Sequence, residues 1–238
     1  MRTKLSVNIN KVALIRNSRG SNLPNLMQFT KDCEAMGADG ITVHPRPDQR
    51  HIRYDDIPLL KEIVTTELNI EGYPSPEFMK LVLENMPHQC TLVPDPPGVL
   101  TSSEGWKIDK NESFVRETIQ ELQSKQIRVS LFVDPIVSQI DMARKVGADR
   151  VELYTGDFAH QYNLDRKKAV QPHIDCSQRA AELGIGLNAG HDLDLSNLKF
   201  YSEQLVGLKE VSIGHALISD ALYYGISNVI GMYKALLG

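Results

Sequence analysis

Short apolar runs rich in β-branched residues alternate along the whole chain with longer stretches whose apolar residues recur every three or four positions. Eight runs read as strands: LSVNI from Leu5, GITVH from Gly40, LNIEG from Leu68, CTLVP from Cys90, RVSLFV from Arg128, RVELY from Arg150, GIGLNA from Gly184 and KEVSIG from Lys209. Between them DDIPLLKEIVTT, SPEFMKLVLENM, ESFVRETIQELQSK and VSQIDMARKVGA carry helical spacing, several opening on Asp, Ser or Pro. Such alternation implies parallel strand pairing, and eight strand-helix units in 238 residues match the count and size of a (β/α)8 TIM barrel, here one domain over residues 1–238. A doubly wound open sheet is the alternative. Against it, no GxGxxG follows the first strand, where the connection NINKVALIRNSRG is read as a loop. MGADGITVHPR from Met36 and VGADRVELYTG from Val146 repeat one pattern at a separation near half the chain, as two half-barrels would.

In such a barrel the C-terminal strand ends form the active face, so position along a strand separates chemistry from packing. Every run ends there in a polar residue or a glycine: Asn8, Asn10 and Lys11; His44 and Arg46; Glu71; Asp95 and the loop with Thr101; Asp134; Glu152; Asn188 and His191; Gly214 and His215. Glu71 and Glu152 interrupt apolar runs, where a carboxylate is costly to bury, so they read as acid-base groups or as anchors for a cationic centre, with buried ion pairs the plain alternative. His44 and His191 are the natural proton carriers. Gly214 and His215 open a helix after the eighth run, an arrangement that binds phosphate through backbone N–H groups. Lys11, Arg16, Arg19, Arg46, Arg50, His51 and Arg53 suggest a second anion site, with Arg19, Arg46 and His51 as ligands and at least one of Arg50 and Arg53 at the surface. Two anion sites imply two phosphorylated small-molecule substrates or one bisphosphate. DPPGVLTSSEGW, residues 95 to 106, has the composition of a lid or of an inert surface excursion.

Composition narrows the classes. The chain is 42% hydrophobic and 24% charged, with a net charge of −4, which argues against a nucleic-acid surface and requires any anion to be met locally. No apolar run is long enough for a membrane span and the N-terminus lacks a signal-peptide pattern, so a cytoplasmic location is expected. Cys33, Cys90 and Cys176 are far apart and lack CxxC spacing, suggesting neither disulfides nor a zinc site. A Schiff-base aldolase would need a desolvated lysine on a strand, and only Lys11 qualifies.

The ordered motifs VNIN, RNSRG, GADGITVHPR, QRHI, LNIE, LVP, SLFVD, ELYTG, LNAGHDL and IGHALISDAL, spread over essentially the full length, resemble the pyridoxine 5′-phosphate synthase family of the deoxyxylulose-phosphate route to vitamin B6. The resemblance implies a (β/α)8 barrel with extra helices, assembled as a homo-octamer. It also implies joining of 3-amino-2-oxopropyl phosphate to 1-deoxy-D-xylulose 5-phosphate, with release of inorganic phosphate and water and without cofactor or metal. By the same resemblance His44 and Glu71 are proton acceptors, His191 the proton donor and Glu152 a transition-state stabiliser. Asn8, Arg19, Asp192, Gly214 and His215 would meet the amino-ketone phosphate, and Asn10, Lys11, Arg46, His51 and Thr101 the deoxyxylulose phosphate. The chain departs from the family's common motifs at Asn10-Lys11, usually Asp-His, and at Asp192, usually Gly.

Overall fold

The computed structural model describes residues 2–95 and 104–238. Its strands are β1 (Lys4–Asn8), β2 (Gly40–Val43), β3 (Glu67–Gly72), β4 (Gln89–Leu92), β5 (Arg128–Val133), β6 (Arg150–Leu153), β7 (Gly186–Ala189) and β8 (Leu208–Ile213). They pair in parallel and in chain order into a closed barrel, β8 returning to β1 with Val7 beside Ile213. All eight apolar runs are therefore strands, and the open-sheet alternative falls.

Around the barrel lie α1 (Asn10–Asn17), α2 (Leu26–Ala35), α3 (Asp56–Ile63), α4 (Pro76–Asn85), α5 (Glu112–Ser124), α6 (Val137–Val146), α7 (Gly156–Leu183), α8 (Leu198–Gln204), α9 (His215–Tyr224) and α10 (Ile226–Ala235). The Ser75 side chain accepts the Phe78 N–H and Pro76 opens α4, as the SPEF sequence suggests. α7 is two helices end to end, broken by non-helical backbone at Asp165.

Apolar and polar residues alternate along the strands. Leu5, Val7, Ile41, Val43, Leu68, Ile70, Val129, Leu131, Val151 and Leu153 are buried and form, with the inner faces of the helices, the apolar core. The alternate residues point into the barrel, and there the usual packing of branched side chains is replaced by polar layers. Across the middle, Ser6 Oγ and Thr42 Oγ1 are 2.7 Å apart, Asn69 donates to Thr42, and Thr91 donates to Asn69 at 3.0 Å. Toward the N-terminal end, Lys4 and Arg128 each lie 3.0 Å from Glu67, and Arg150 lies 3.4 Å from Glu210. Hydrogen bonding among Ser6, Thr42, Asn69 and Thr91 makes that layer tolerable, although Ser130 Oγ and Asn188 Nδ2 in the same interior lack a partner among the described residues.

The repeated Gly-Ala-Asp has a structural cause. Asp39 accepts the Leu5 N–H and Asp149 the Val129 N–H, at 3.0 and 2.8 Å, so each ties the start of its strand to the preceding one. Gly37 and Gly147 both take left-handed backbone, at φ 99° and 94°, to end the preceding helices.

Two sequence expectations need correcting. The connection after β1 is not a loop: Asn10–Asn17 is helical because Val12, Ala13 and Arg16 make one buried face. Lys11 therefore sits on a helix, not on a strand as a Schiff-base lysine would require. Arg16 belongs to no anion site, for its guanidinium grips Asp56 with two bonds of 2.7 and 2.9 Å and also donates to the His51 carbonyl. With both side chains under a tenth exposed, removing one partner strands a buried charge. Asp56→Ala is expected to destabilise the fold by about 3–5 kcal/mol in denaturant unfolding; a loss below about 1 kcal/mol, the scale of an exposed pair, would contradict this reading.

Candidate active site

The C-terminal strand ends open into a cavity of about 970 Å³. Asn8 and the start of α1 form one wall, His44, Arg46, Arg50 and His51 the next, Glu71 and Glu152 the floor, and Gly190 to Asp194 with Gly214 to Ala216 the far side. The strand-end residues Asp95, Asp134 and Asn188 do not line it; of the residues expected to catalyse or to bind substrate, those that the structure describes do, with one exception. Arg19 is exposed and does not line the cavity. Thr101 and most of the proposed lid lie outside the described residues.

Trp106, by contrast, is buried, donates to the Leu92 carbonyl at 2.9 Å and stacks on Tyr73. Asp134 accepts the Gly105 N–H and a 2.7 Å bond from Lys107, so these two residues anchor the returning end of that connection. Arg53 is exposed whereas Arg50 lines the cavity. His160, one turn into α7, and Asp194 also line it; neither was singled out in the sequence, where only their closeness to the sixth and seventh strand ends could have drawn attention.

Local geometry explains the residue choices. Asn10 accepts the His44 N–H at 3.0 Å and donates its own N–H to Asn8, tying the ends of β1 and β2 together. An aspartate at this position could accept the same bond, so the amide makes the link without adding a charge. At Gly190 a Cβ would stand 2.4 Å from the Ser212 carbonyl and 3.2 Å from Glu152 Oε1, so the chain passes too close to β8 for any side chain. α9 begins at the cavity without a side-chain cap, so its first-turn N–H groups are open to an anion there, whereas at α1 the Asn8 side chain takes the first N–H, that of Asn10.

The titratable groups are displaced from their ordinary states. Burial, then the charges of Arg46, His51 and Arg50, push His44 down to about 3. Burial with Arg50 and Arg46 pushes His51 down to about 4, and its Nδ1 accepts the Ile52 N–H, so Nε2 carries the proton of a neutral ring. Both histidines are neutral donors or acceptors at pH 7, not members of a cationic clamp. Glu71 goes the other way: burial and the nearby Glu210 push it up to about 8. Burial, Glu71 and Glu210 hold Glu152 well above the carboxylate range. Among the described residues no group of three or more His, Cys, Asp or Glu is arranged to hold a metal ion.

A family model described as pyridoxal phosphate biosynthesis protein PdxJ matches residues 5–238. The chain belongs to this family. Among its PdxJ relatives, a pyridoxine 5′-phosphate synthase of Flavobacterium johnsoniae is 56% identical over 231 residues, covering 97% of this chain and 98% of that one. One of Parabacteroides distasonis is 53% identical over 235 residues and covers 99% of both. The barrel is also similar to 3-keto-L-gulonate-6-phosphate decarboxylase of Vibrio cholerae, with a TM-score of 0.68 at 8% identity over 100% of this chain and 98% of that one. A Mycobacterium tuberculosis tryptophan synthase chain gives 0.67 at 13% identity, over 99% and 93%. At those identities the likeness is one of fold.

Proposed function

We propose that this PdxJ-family chain is a pyridoxine 5′-phosphate synthase, joining 3-amino-2-oxopropyl phosphate to 1-deoxy-D-xylulose 5-phosphate and closing the pyridine ring with release of inorganic phosphate and water. The observation that carries the reading is one cavity holding a neutral His44, two carboxyls kept protonated, and the uncapped start of α9. Imine formation, loss of phosphate, water addition and ring closure move several protons between neighbouring atoms, which one group cannot do alone.

His44 accepts a proton as a neutral imidazole. Glu71, poised at about 8, exchanges protons in either direction near neutral pH. Glu152 is neutral while the site is empty of charge, and a developing iminium beside it favours its ionisation, which stabilises that cation. His191 donates a proton to a leaving group. The start of α9 with Gly214, His215 and Asn8, together with the backbone at Asp192, receives the amino-ketone phosphate; Asn10, Lys11, Arg46 and His51 receive the deoxyxylulose phosphate. Arg19 and Thr101 enter these two sets on resemblance alone.

The same reading assigns the chain to the cytoplasm as one barrel domain in a homo-octamer. No helix among the described residues is long and apolar enough to cross a membrane, and exposed Leu14, Ile15, Leu222, Tyr223 and Tyr224 on α1 and α9 offer apolar surface to a further copy. Turnover by the purified protein tests the function. Pyridoxine 5′-phosphate is expected only when both substrates are present; its absence, or its formation when one is omitted, would reject the assignment.

A further inference from the structure

His191 and Asp192 lie on the turn after β7. That turn is fixed by its surroundings. The Leu193 N–H donates to the Gly190 carbonyl at 3.1 Å, Asn197 Nδ2 donates to the Asp192 carbonyl at 3.2 Å, and the Thr155 hydroxyl donates to the His191 carbonyl. Asp192 itself has left-handed backbone, φ 62°, a conformation that aspartate and asparagine tolerate better than most residues.

On this fixed turn the Asp192 carboxylate reaches back to its neighbour, Oδ2 lying 3.1 Å from His191 Nδ1. Nδ1 is buried although the His191 side chain is 27% exposed, so the part of the ring that meets the cavity is elsewhere than Nδ1. The Tyr154 ring stands edge-on at 5.3 Å and restricts rotation of the imidazole from another side. Glu152, His160, Asp194 and His215 are the other titratable groups on this side of the cavity.

We propose that Asp192 is a positioning residue for His191: its carboxylate accepts from Nδ1–H, fixing the tautomer and leaving Nε2 as the nitrogen that exchanges protons with substrate. A carboxylate behind an imidazole orients the ring and stabilises its protonated form, which a proton donor requires. The bond to His191 also holds the Asp192 carboxyl below its ordinary range, with burial opposing and His160 and His215 assisting. The acceptor is the Asp192 side chain itself, so this chain sets its proton donor by a contact that a glycine at position 192 could not supply. The inference rests on the reading of His191 as the acid of the proposed reaction.

Asp192→Asn keeps size and backbone preference while removing the charge, and Asp192→Gly removes the side chain while relaxing the left-handed position, so both are suited to fold. Nitrogen-15 NMR of the imidazoles, assigned with a His191→Gln control, reads the tautomer without reference to turnover. In the wild-type protein the neutral His191 ring is expected to carry its proton on Nδ1, and in both variants to lose that preference. Turnover is expected to fall about tenfold or more in kcat, with KM little changed. Unaltered tautomer in the variants, or an altered tautomer with wild-type kcat, overturns the positioning role. If wild-type protein forms no pyridoxine 5′-phosphate, the functional reading fails, whereas the NMR result still decides whether Asp192 orders the ring.

Discussion

Replacing Glu71 by glutamine is expected to lower turnover by about 10²–10⁴-fold, the usual worth of a general acid-base group, while leaving substrate binding nearly intact. The amide preserves shape and hydrogen bonding but cannot exchange a proton. The same change should alter the pH dependence of stability, and the sign follows from linkage. Folded Glu71 keeps its proton up to about 8, whereas the unfolded side chain loses it in the ordinary carboxylate range. Between those limits the native state binds more protons than the unfolded state, so this group's contribution is fully present at low pH and is lost as pH rises toward and through 8. Unfolding by denaturant at pH 5 and pH 9 should therefore show Glu71→Gln gaining on the wild-type protein as pH rises. A variant that instead lost ground at high pH would mean that the carboxylate, not the acid, is the stabilised form.

His44→Gln is the second change with a large effect, again about 10²–10⁴-fold in turnover. Its main-chain bond to Asn10 does not depend on the side chain, so the ends of β1 and β2 stay joined. The imidazole is a weak base in the free protein because Arg46, His51 and Arg50 add their repulsion to burial. A substrate phosphate among those arginines cancels part of that charge and strengthens the base when it is needed. Accordingly the acid limb of kcat, which reports the complex, should lie at higher pH than that of kcat/KM, which reports the free protein. The reverse order would remove this coupling, and wild-type turnover in His44→Gln would remove the base.

The strands were legible because outward-facing apolar residues recur in every one, from Leu5 and Val7 to Val211 and Ile213. Helical spacing likewise marked α3 to α6, and the repeated Gly-Ala-Asp marked equivalent turns before β2 and β6. The polar barrel interior was not legible: Ser6, Thr42 and Asn69 read as ordinary interruptions until closure of the barrel directs them toward one another. Arg16 reads as one more member of the basic cluster because its true partner, Asp56, lies 40 residues away and nothing local distinguishes it from Arg46. The assembly of Glu71, Glu152 and His191 at one rim followed from their places at strand ends. The protonation of the site did not, since His44 and His51 read as ordinary imidazoles until burial and the neighbouring arginines are known. The pairing of Asp192 with His191 depends on a left-handed turn that a residue type alone does not announce.

The most direct test of the proposed chemistry is a single-turnover reaction with protein in excess over both substrates, in which pyridoxine 5′-phosphate and inorganic phosphate are counted in the same quenched samples. Equal amounts of the two, formed together and slowed by about 10²–10⁴-fold in Glu71→Gln, are expected. Phosphate released without ring product, or ring product undiminished in the variant, would contradict ring closure by the carboxyls and imidazoles of this cavity.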